Sequence, residues 1–216
     1  MSPRQWRAAR AAARESEKDI RFIDGFMRVI ALRRYLYTLF VTAMLALPMI
    51  SRAGDRQPWI LVDTEALTLT VFSGNNHVLA RFPNISIGSG GAAAYHLRGD
   101  QTTPRGTFHV SWVDRQSRFG TFYGLDYPSA PVARLAYFEG RISGEEFDAI
   151  MNALQHHRTP PQNTPLGGQL GIHGLGGGDP DVQQAVNWTD GCVALGNRQL
   201  RRLSNWIHIG TRVVIR

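Results

Sequence analysis

From Pro58 to the C-terminus, the chain consists of short segments in which apolar and polar residues alternate, separated by turns rich in glycine, proline and asparagine. Alternation with a period of two is typical of half-buried strands, whereas helices need longer segments with a period of 3.6. The pattern therefore predicts a mainly β domain. Seven segments fit strands: residues 59–63, 67–73, 77–87, 106–113, 170–173, 192–195 and 211–216.

Two segments of the same region predict helices. Residues 143–154 begin with Ser143 and Glu146, which have the spacing of a capping box. Residues 197–207 carry apolar side chains at helical spacing. The region 54–216 is therefore predicted to be mainly β with a few helices.

The first 53 residues have a different character. Residues 35–50 are uncharged and mostly apolar, Arg33 and Arg34 precede them, and Ser-Arg-Ala follows at 51–53. A basic flank, an apolar run and small residues at the exit are typical of a secretory signal peptide. The run is shorter than the roughly 20 residues of a bilayer span. A retained anchor in the inner membrane and a buried core helix are the alternatives.

Both export alternatives place the following domain outside the cytoplasmic membrane, in the periplasm or cell envelope, because the positive flank stays inside. We therefore expect an N-terminal arm at 1–53, containing a hydrophobic helix, and a folded domain at 54–216. Residues 1–26 are long and mixed in charge for a signal peptide. Met27 is accordingly the predicted translation start.

The positive charge of the chain is concentrated in the arm. Residues 1–53 contain ten basic and four acidic residues, whereas residues 54–216 contain fourteen and thirteen. A protein that binds nucleic acid needs clustered positive charge on its folded part. We therefore expect no nucleic-acid partner, despite the net charge of +7.

Cys192 is the single cysteine of the chain, and it follows a glycine-containing turn. A thiol with a pKa of about 8.5 is mostly protonated at neutral pH, so a cysteine nucleophile needs a nearby base. His173, at the end of another apolar segment, is the candidate. The glycine before the cysteine would let backbone amides approach a carbonyl under attack. An inert buried thiol is the plain alternative.

Three elements in a fixed order make the enzymatic interpretation more specific. They are Thr103-Pro104-Arg105-Gly106-Thr107-Phe108, Gly171-Ile172-His173-Gly174 and Thr189-Asp190-Gly191-Cys192. Together they resemble the signature of the L,D-transpeptidase (YkuD-type) catalytic domain family over approximately residues 58–216, and the variant is most similar to its YafK-like branch. The resemblance implies a β-sandwich-type catalytic domain that needs no cofactor and no metal.

The resemblance also implies roles for individual residues. Cys192 would be the nucleophile and His173 its general base, with the backbone carbonyl of Asp190 orienting the imidazole. The amides of Gly191 and Cys192 would stabilise the oxyanion. The Asp190 side chain could alternatively hold the imidazolium directly. Residues expected to contact substrate are Thr189, Gly174, Thr103, Pro104 and Gly106.

The activity implied by the resemblance is acyl transfer on peptidoglycan stem peptides through a thioester. A hydrolase of the same wall linkage, including one that releases a wall-anchored lipoprotein, shares every residue named so far. A wall-binding module without activity is the third alternative, and it leaves the pairing of His173 with Cys192 without a purpose.

A zinc site is a separate alternative for the histidines. His173 and Asp179 could ligate zinc together with His156 or His157. The adjacent histidines, however, lie at a predicted helix end, where cationic side chains favour the helix dipole without a metal. A zinc site also leaves the cysteine turn unexplained. We therefore expect no metal.

Overall fold

The computed structural model describes residues 57–216. The predicted hydrophobic helix at 35–50, the remainder of the arm and the proposed start at Met27 lie outside the described residues. Within the described region, no helix has the length and apolar character needed to cross a membrane.

The strands and helices alternate irregularly along residues 57–216. In chain order the strands are β1 (Trp59–Asp63), β2 (Thr68–Phe72), β3 (Val78–Pro83), β4 (Ala92–Ala93), β5 (Thr103–Pro104), β6 (Gly106–Ser117), β7 (Gly120–Leu125), β8 (Gly171–His173), β9 (Val193–Ala194) and β10 (Arg212–Ile215). The helices are α1 (Ala130–Phe138), α2 (Gly144–Gln155), α3 (Pro180–Ala185) and α4 (Asn197–Leu203). The prediction of a mainly β domain with a few helices is confirmed.

Eight strands form one mixed sheet in the order β3-β2-β1-β10-β6-β7-β8-β9, and β4 pairs with β5 in a separate two-stranded sheet. The pairs β1–β10 and β8–β9 are parallel. The resemblance implied a sandwich-type domain, and the hydrogen-bond order runs through all eight strands. The reason is the length of β6, which pairs with β10 along residues 106–109 and with β7 along residues 110–117.

The helices follow the sequence prediction only in part. α2 begins as expected: the Ser143 side chain accepts from the Glu146 amide at 3.2 Å, and the Glu146 carboxylate accepts from the Ser143 amide at 2.8 Å. α4 ends at Leu203, four residues before the predicted end, and a turn follows. α1 was not predicted, because its apolar residues include exposed Phe138 and Tyr137 as well as a buried set, so no amphipathic stripe is visible.

Burial along the strands reflects their position in the sheet. β1 alternates between half-buried and buried residues, as expected for one core face. β8, in contrast, is buried at all three positions because β7 and β9 flank it on both sides. This places His173, only 2% exposed, inside the protein rather than on a solvated face.

Candidate active site

Strand register brings Cys192 and His173 to the same face of the sheet. In the parallel pair β8–β9, Ile172 lies opposite Val193 and His173 opposite Ala194. Cys192, directly before β9, therefore lies beside Gly171. Because side chains alternate between faces with a period of two, the cysteine and the histidine project to the same side although 19 positions separate them.

Both side chains line one cleft of about 830 Å³. Its walls come from the β6–β7 hairpin, the segment before β8, the glycine-rich segment after β8 and the turn before β9. Further residues that line it are Trp112, Asp114, Ser117, Arg118, Phe119, Phe122, Gly168, Gln169, Leu170, Leu175, Gly177, Gly178, Trp188, Thr189 and Asp190. A nucleophile and a base thus open onto a space of substrate size.

The His173 imidazole is held by aromatic rings. Phe119 stacks on it with ring centroids 4.5 Å apart, Phe122 lies parallel at 5.7 Å, and Trp188 meets it edge-on at 5.9 Å. The sequence analysis predicted none of these three rings beside the base. The alternation of residues along β7, from residue 120 to Phe122, does not predict that Phe122 lies beside His173. That contact depends on the pairing of β7 with β8.

The imidazole is oriented by a neighbour in sequence. His173 Nδ1 donates to the carbonyl of Gly174 at 2.7 Å, so the proton resides on Nδ1 and Nε2 carries the lone pair. Burial lowers the pKa of His173 below its ordinary value; the hydrogen bond to Gly174 opposes this, and the positive charge of Arg118 adds to the lowering. A neutral imidazole with an open Nε2 is suited to accept a proton.

This geometry corrects the prediction for Asp190. The carbonyl that orients the imidazole belongs to Gly174, because β8 ends at His173 and the chain turns so that the next carbonyl faces Nδ1. The Asp190 side chain is exposed and accepts from Gln101 Nε2 at 3.2 Å. Among residues 57–216 it forms no ion pair with His173.

The surroundings of the Cys192 thiol favour its protonated form. The residue as a whole is half-buried and lines the cleft. Protein atoms nevertheless pack around its sulfur, and this desolvation raises the pKa of the Cys192 thiol to about 12. A hydrogen bond from the Gly171 amide opposes the shift, and the negative charge of Asp190 adds to it. Sγ donates to the carbonyl of Gln169 at 3.4 Å. Proton transfer to His173 therefore requires that the S–H bond turn away from Gln169.

The turn that carries the cysteine is shaped by Gly191. This residue has φ +125°, in the region that favours glycine, and a Cβ would lie 2.7 Å from the carbonyl oxygen of Thr102. Thr189 closes the turn: its hydroxyl donates to the Cys192 carbonyl at 2.7 Å and accepts from the Gly191 amide at 3.2 Å. The Gly191 amide is thus occupied inside the turn and does not point into the cleft for an oxyanion.

The upstream motif supports this turn. Thr103 is fully buried; its hydroxyl accepts from the Gly88 amide at 2.8 Å and donates to the Gly191 carbonyl at 2.9 Å. Neither Thr103 nor the buried Pro104 nor the half-buried Gly106 lines the cleft. The hydrogen bonds of Thr103 give it a role in positioning the cysteine turn. The predicted substrate contacts of Thr103, Pro104 and Gly106 stay predictions.

Hydrogen bonds from the side chain of Asn197, at the start of α4, hold the glycine-rich segment that follows His173. Asn197 Oδ1 accepts from the amides of Leu175 and Gly176 at 2.9 and 3.1 Å, and its Nδ2 donates to the Gly176 carbonyl at 2.7 Å. Of the predicted substrate contacts, Thr189 lines the cleft, and Gly174 supplies the carbonyl that orients the base.

The zinc alternative finds no matching geometry in the described part of the chain. No group of three or more histidine, cysteine, aspartate or glutamate side chains is arranged there to hold a metal ion. His156 instead caps its own helix, with Nδ1 against the Asn152 carbonyl at 2.8 Å.

Comparisons with known proteins agree with the sequence motifs. The L,D-transpeptidase catalytic domain family, YkuD, matches residues 57–215. A search of curated proteins found no significant match. The assignment to the YafK-like branch stays a prediction.

Similar solved structures include Bd1075 of Bdellovibrio bacteriovorus, with 20% identity, TM-score 0.48 and coverage of 77% of this chain and 50% of that one. The helical cell shape determining protein Pgp2 of Campylobacter jejuni has 17% identity, TM-score 0.48 and coverage of 74% and 47%. An L,D-transpeptidase of Mycobacterium smegmatis has 16% identity, TM-score 0.39 and coverage of 74% and 58%. The chain thus spans about half the length of these proteins.

The family match extends over most of the chain and includes both the cysteine turn and the histidine strand. The chain therefore belongs to the L,D-transpeptidase catalytic domain family.

Proposed function

We propose that the protein is a cysteine acyltransferase that acts on peptidoglycan stem peptides outside the cytoplasmic membrane. The observation that carries the proposal is the shared cleft, into which the Cys192 thiol and the His173 imidazole both open. Family membership supplies the reaction class, and the neutral imidazole supplies a base for a thiol that is protonated at rest.

The reaction proceeds in two steps. His173 Nε2 takes the thiol proton, and the Cys192 thiolate attacks the carbonyl of the L-centre of a diamino acid in a stem tetrapeptide. The C–N bond to the terminal D-alanine breaks, the alanine leaves with the proton from His173, and a thioester remains. An amine then attacks the thioester, giving a cross-link and restoring the thiol. No cofactor takes part.

Product analysis with the full chain and purified tetrapeptide muropeptides tests the proposal. We expect release of D-alanine, an acyl-enzyme on Cys192 in the intact mass spectrum, and cross-linked dimers. Cys192→Ala and His173→Gln should abolish all three, whereas replacing His77, an exposed residue in the β2–β3 turn, by alanine should leave them unchanged.

Other products would identify the alternatives. Shortened stems or a released lipoprotein, without dimers, would identify a hydrolase. A Cys192→Ala protein with full turnover would refute the mechanism, and the absence of both turnover and a Cys192 adduct would identify a wall-binding module.

A further inference from the structure

A second cleft adjoins the one that contains Cys192. Its volume is about 640 Å³, and it shares Gly168 and Asp190 with the first cleft. Its remaining walls include His96, Arg98 and Gln162. A molecule bound there lies next to the turn that carries the nucleophile, so this cleft is placed to admit a second substrate.

His96 is the one histidine of this second cleft, and its ring is held in a fixed orientation. The residue is 4% exposed, and its Nδ1 lies 2.9 Å from both the Thr102 carbonyl and Asp100 Oδ1. Both partners are acceptors, so Nδ1 carries the proton. The buried Tyr127 hydroxyl accepts from the His96 amide at 2.9 Å and donates to its carbonyl at 2.6 Å, which fixes the backbone.

The other ring nitrogen is left open. His96 Nε2 has no hydrogen-bond partner among residues 57–216. Gly167 packs against this nitrogen: a Cβ there would lie 2.9 Å from Nε2, so the glycine, with φ +73°, leaves space at Nε2 that a larger residue would fill. An imidazole whose Nδ1–H is held by a carboxylate and whose Nε2 is unpartnered has the arrangement of a general base.

Transfer to an amine requires two proton transfers from the acceptor, and His173 can accept only one proton at a time. The proposed acceptor is an ammonium group at neutral pH and must lose two protons to become an amide. The leaving sulfur takes up one of them through His173. The other needs a second base, and the first cleft contains no other histidine.

We propose that His96 is this second base and that the acceptor amine binds in the cleft it lines. The inference rests on the proposed function. His96 Nε2 takes one proton from R–NH3⁺, and the free amine attacks the thioester, so that a C–N bond forms and the C–S bond breaks. The second proton passes through His173 to Sγ of Cys192, and His96 releases its proton to solvent.

The charged groups around His96 fit such an acceptor. Asp100 contacts the ring directly, and Asp190 and Arg98 line the cleft. A carboxylate at position 190 attracts an ammonium group towards the cysteine turn, and the Arg98 guanidinium suits a carboxylate on the same acceptor. The acceptor class is therefore an amine that also carries a carboxylate.

The test compares two acceptors in the full chain. Nα-acetyl-lysine has an amine with a pKa of about 10.4, so less than about one molecule in a thousand is unprotonated at pH 7. Hydroxylamine is mostly unprotonated at pH 7 and needs no such base. His96→Asn keeps an N–H donor near the position of Nδ1 and removes Nε2.

We expect His96→Asn to lower the ratio of transfer to lysine over transfer to hydroxylamine by at least about tenfold at pH 7, since a general base contributes roughly 10²–10⁴-fold. The ratio should recover towards pH 10, where roughly a quarter of the lysine amine is unprotonated. The exposed-residue control His77→Asn should leave the ratio unchanged.

A merely structural role for His96 predicts that both transfers fall together. An unchanged ratio, with transfer intact in the unsubstituted protein, would overturn the assignment of His96 alone. Absence of transfer to either acceptor by the unsubstituted protein would overturn the proposed function together with this inference.

Discussion

Replacing Gly191 by alanine should destabilise the fold and disable the nucleophile at the same time. The new Cβ would lie 2.7 Å from the Thr102 carbonyl oxygen and 2.9 Å from Cδ2 of Leu170. Because the nearer atom belongs to the backbone, it cannot turn aside as a flexible side chain would. The φ of +125° adds strain for any residue with a Cβ.

The magnitude follows from these two contributions. A non-glycine residue in a sparsely populated backbone region costs about 1–3 kcal/mol, and overpacking adds about 1–3 kcal/mol. Gly191→Ala should therefore lower the free energy of unfolding by about 2–6 kcal/mol. For a chain of this size, each kcal/mol shifts Tm by about 2–4 °C.

Thermal unfolding and acyl-enzyme formation on Cys192, measured on the same preparation, check this prediction. Gly144→Ala is the matched control, because a Cβ at the first residue of α2 would meet nothing closer than 3.9 Å. Alanine should be neutral or slightly stabilising there. If Gly191→Ala melts at the temperature of the unsubstituted protein and acylates at the same rate, the account of the cysteine turn is wrong.

Four further predictions concern the surroundings of the two reactive side chains. Asp190→Asn removes a negative charge that raises the pKa of the Cys192 thiol, so alkylation by iodoacetamide should become faster at alkaline pH; an unchanged pH profile would contradict this. Burial lowers the pKa of His173, so acyl-enzyme formation should decline with falling pH only below about 6.5, the ordinary value. Phe119→Ala, which admits water to the His173 ring, should raise the pH at which this decline begins. A decline that already begins above pH 6.5 in the unsubstituted protein would refute the reasoning. Thr103→Val leaves a buried amide and a buried carbonyl without partners and should cost about 1–3 kcal/mol in urea unfolding, whereas Thr103→Ser should retain most of the stability.

Much of the local structure was predictable because its signals lie within a few residues. The alternating pattern located β1 at its observed bounds, and the capping-box spacing located the start of α2. β7 was missed because Gly120–Leu125 contains two glycines and is buried at its last four positions, so it shows no alternation. For the two strands, the outcome depended on whether burial varied from residue to residue along the segment.

By itself, the sequence determined that Cys192 follows a glycine-containing turn and that His173 ends an apolar segment, and the motif order indicated that the two act together. Only the tertiary structure decided which groups surround them: the Gly174 carbonyl against Nδ1, the Gln169 carbonyl against the thiol, and the aromatic rings on the imidazole. These contacts depend on strand register and on loops that meet across the sheet. A one-residue slip of β9 against β8 would turn the cysteine to the opposite face, and no local sequence signal specifies that pairing.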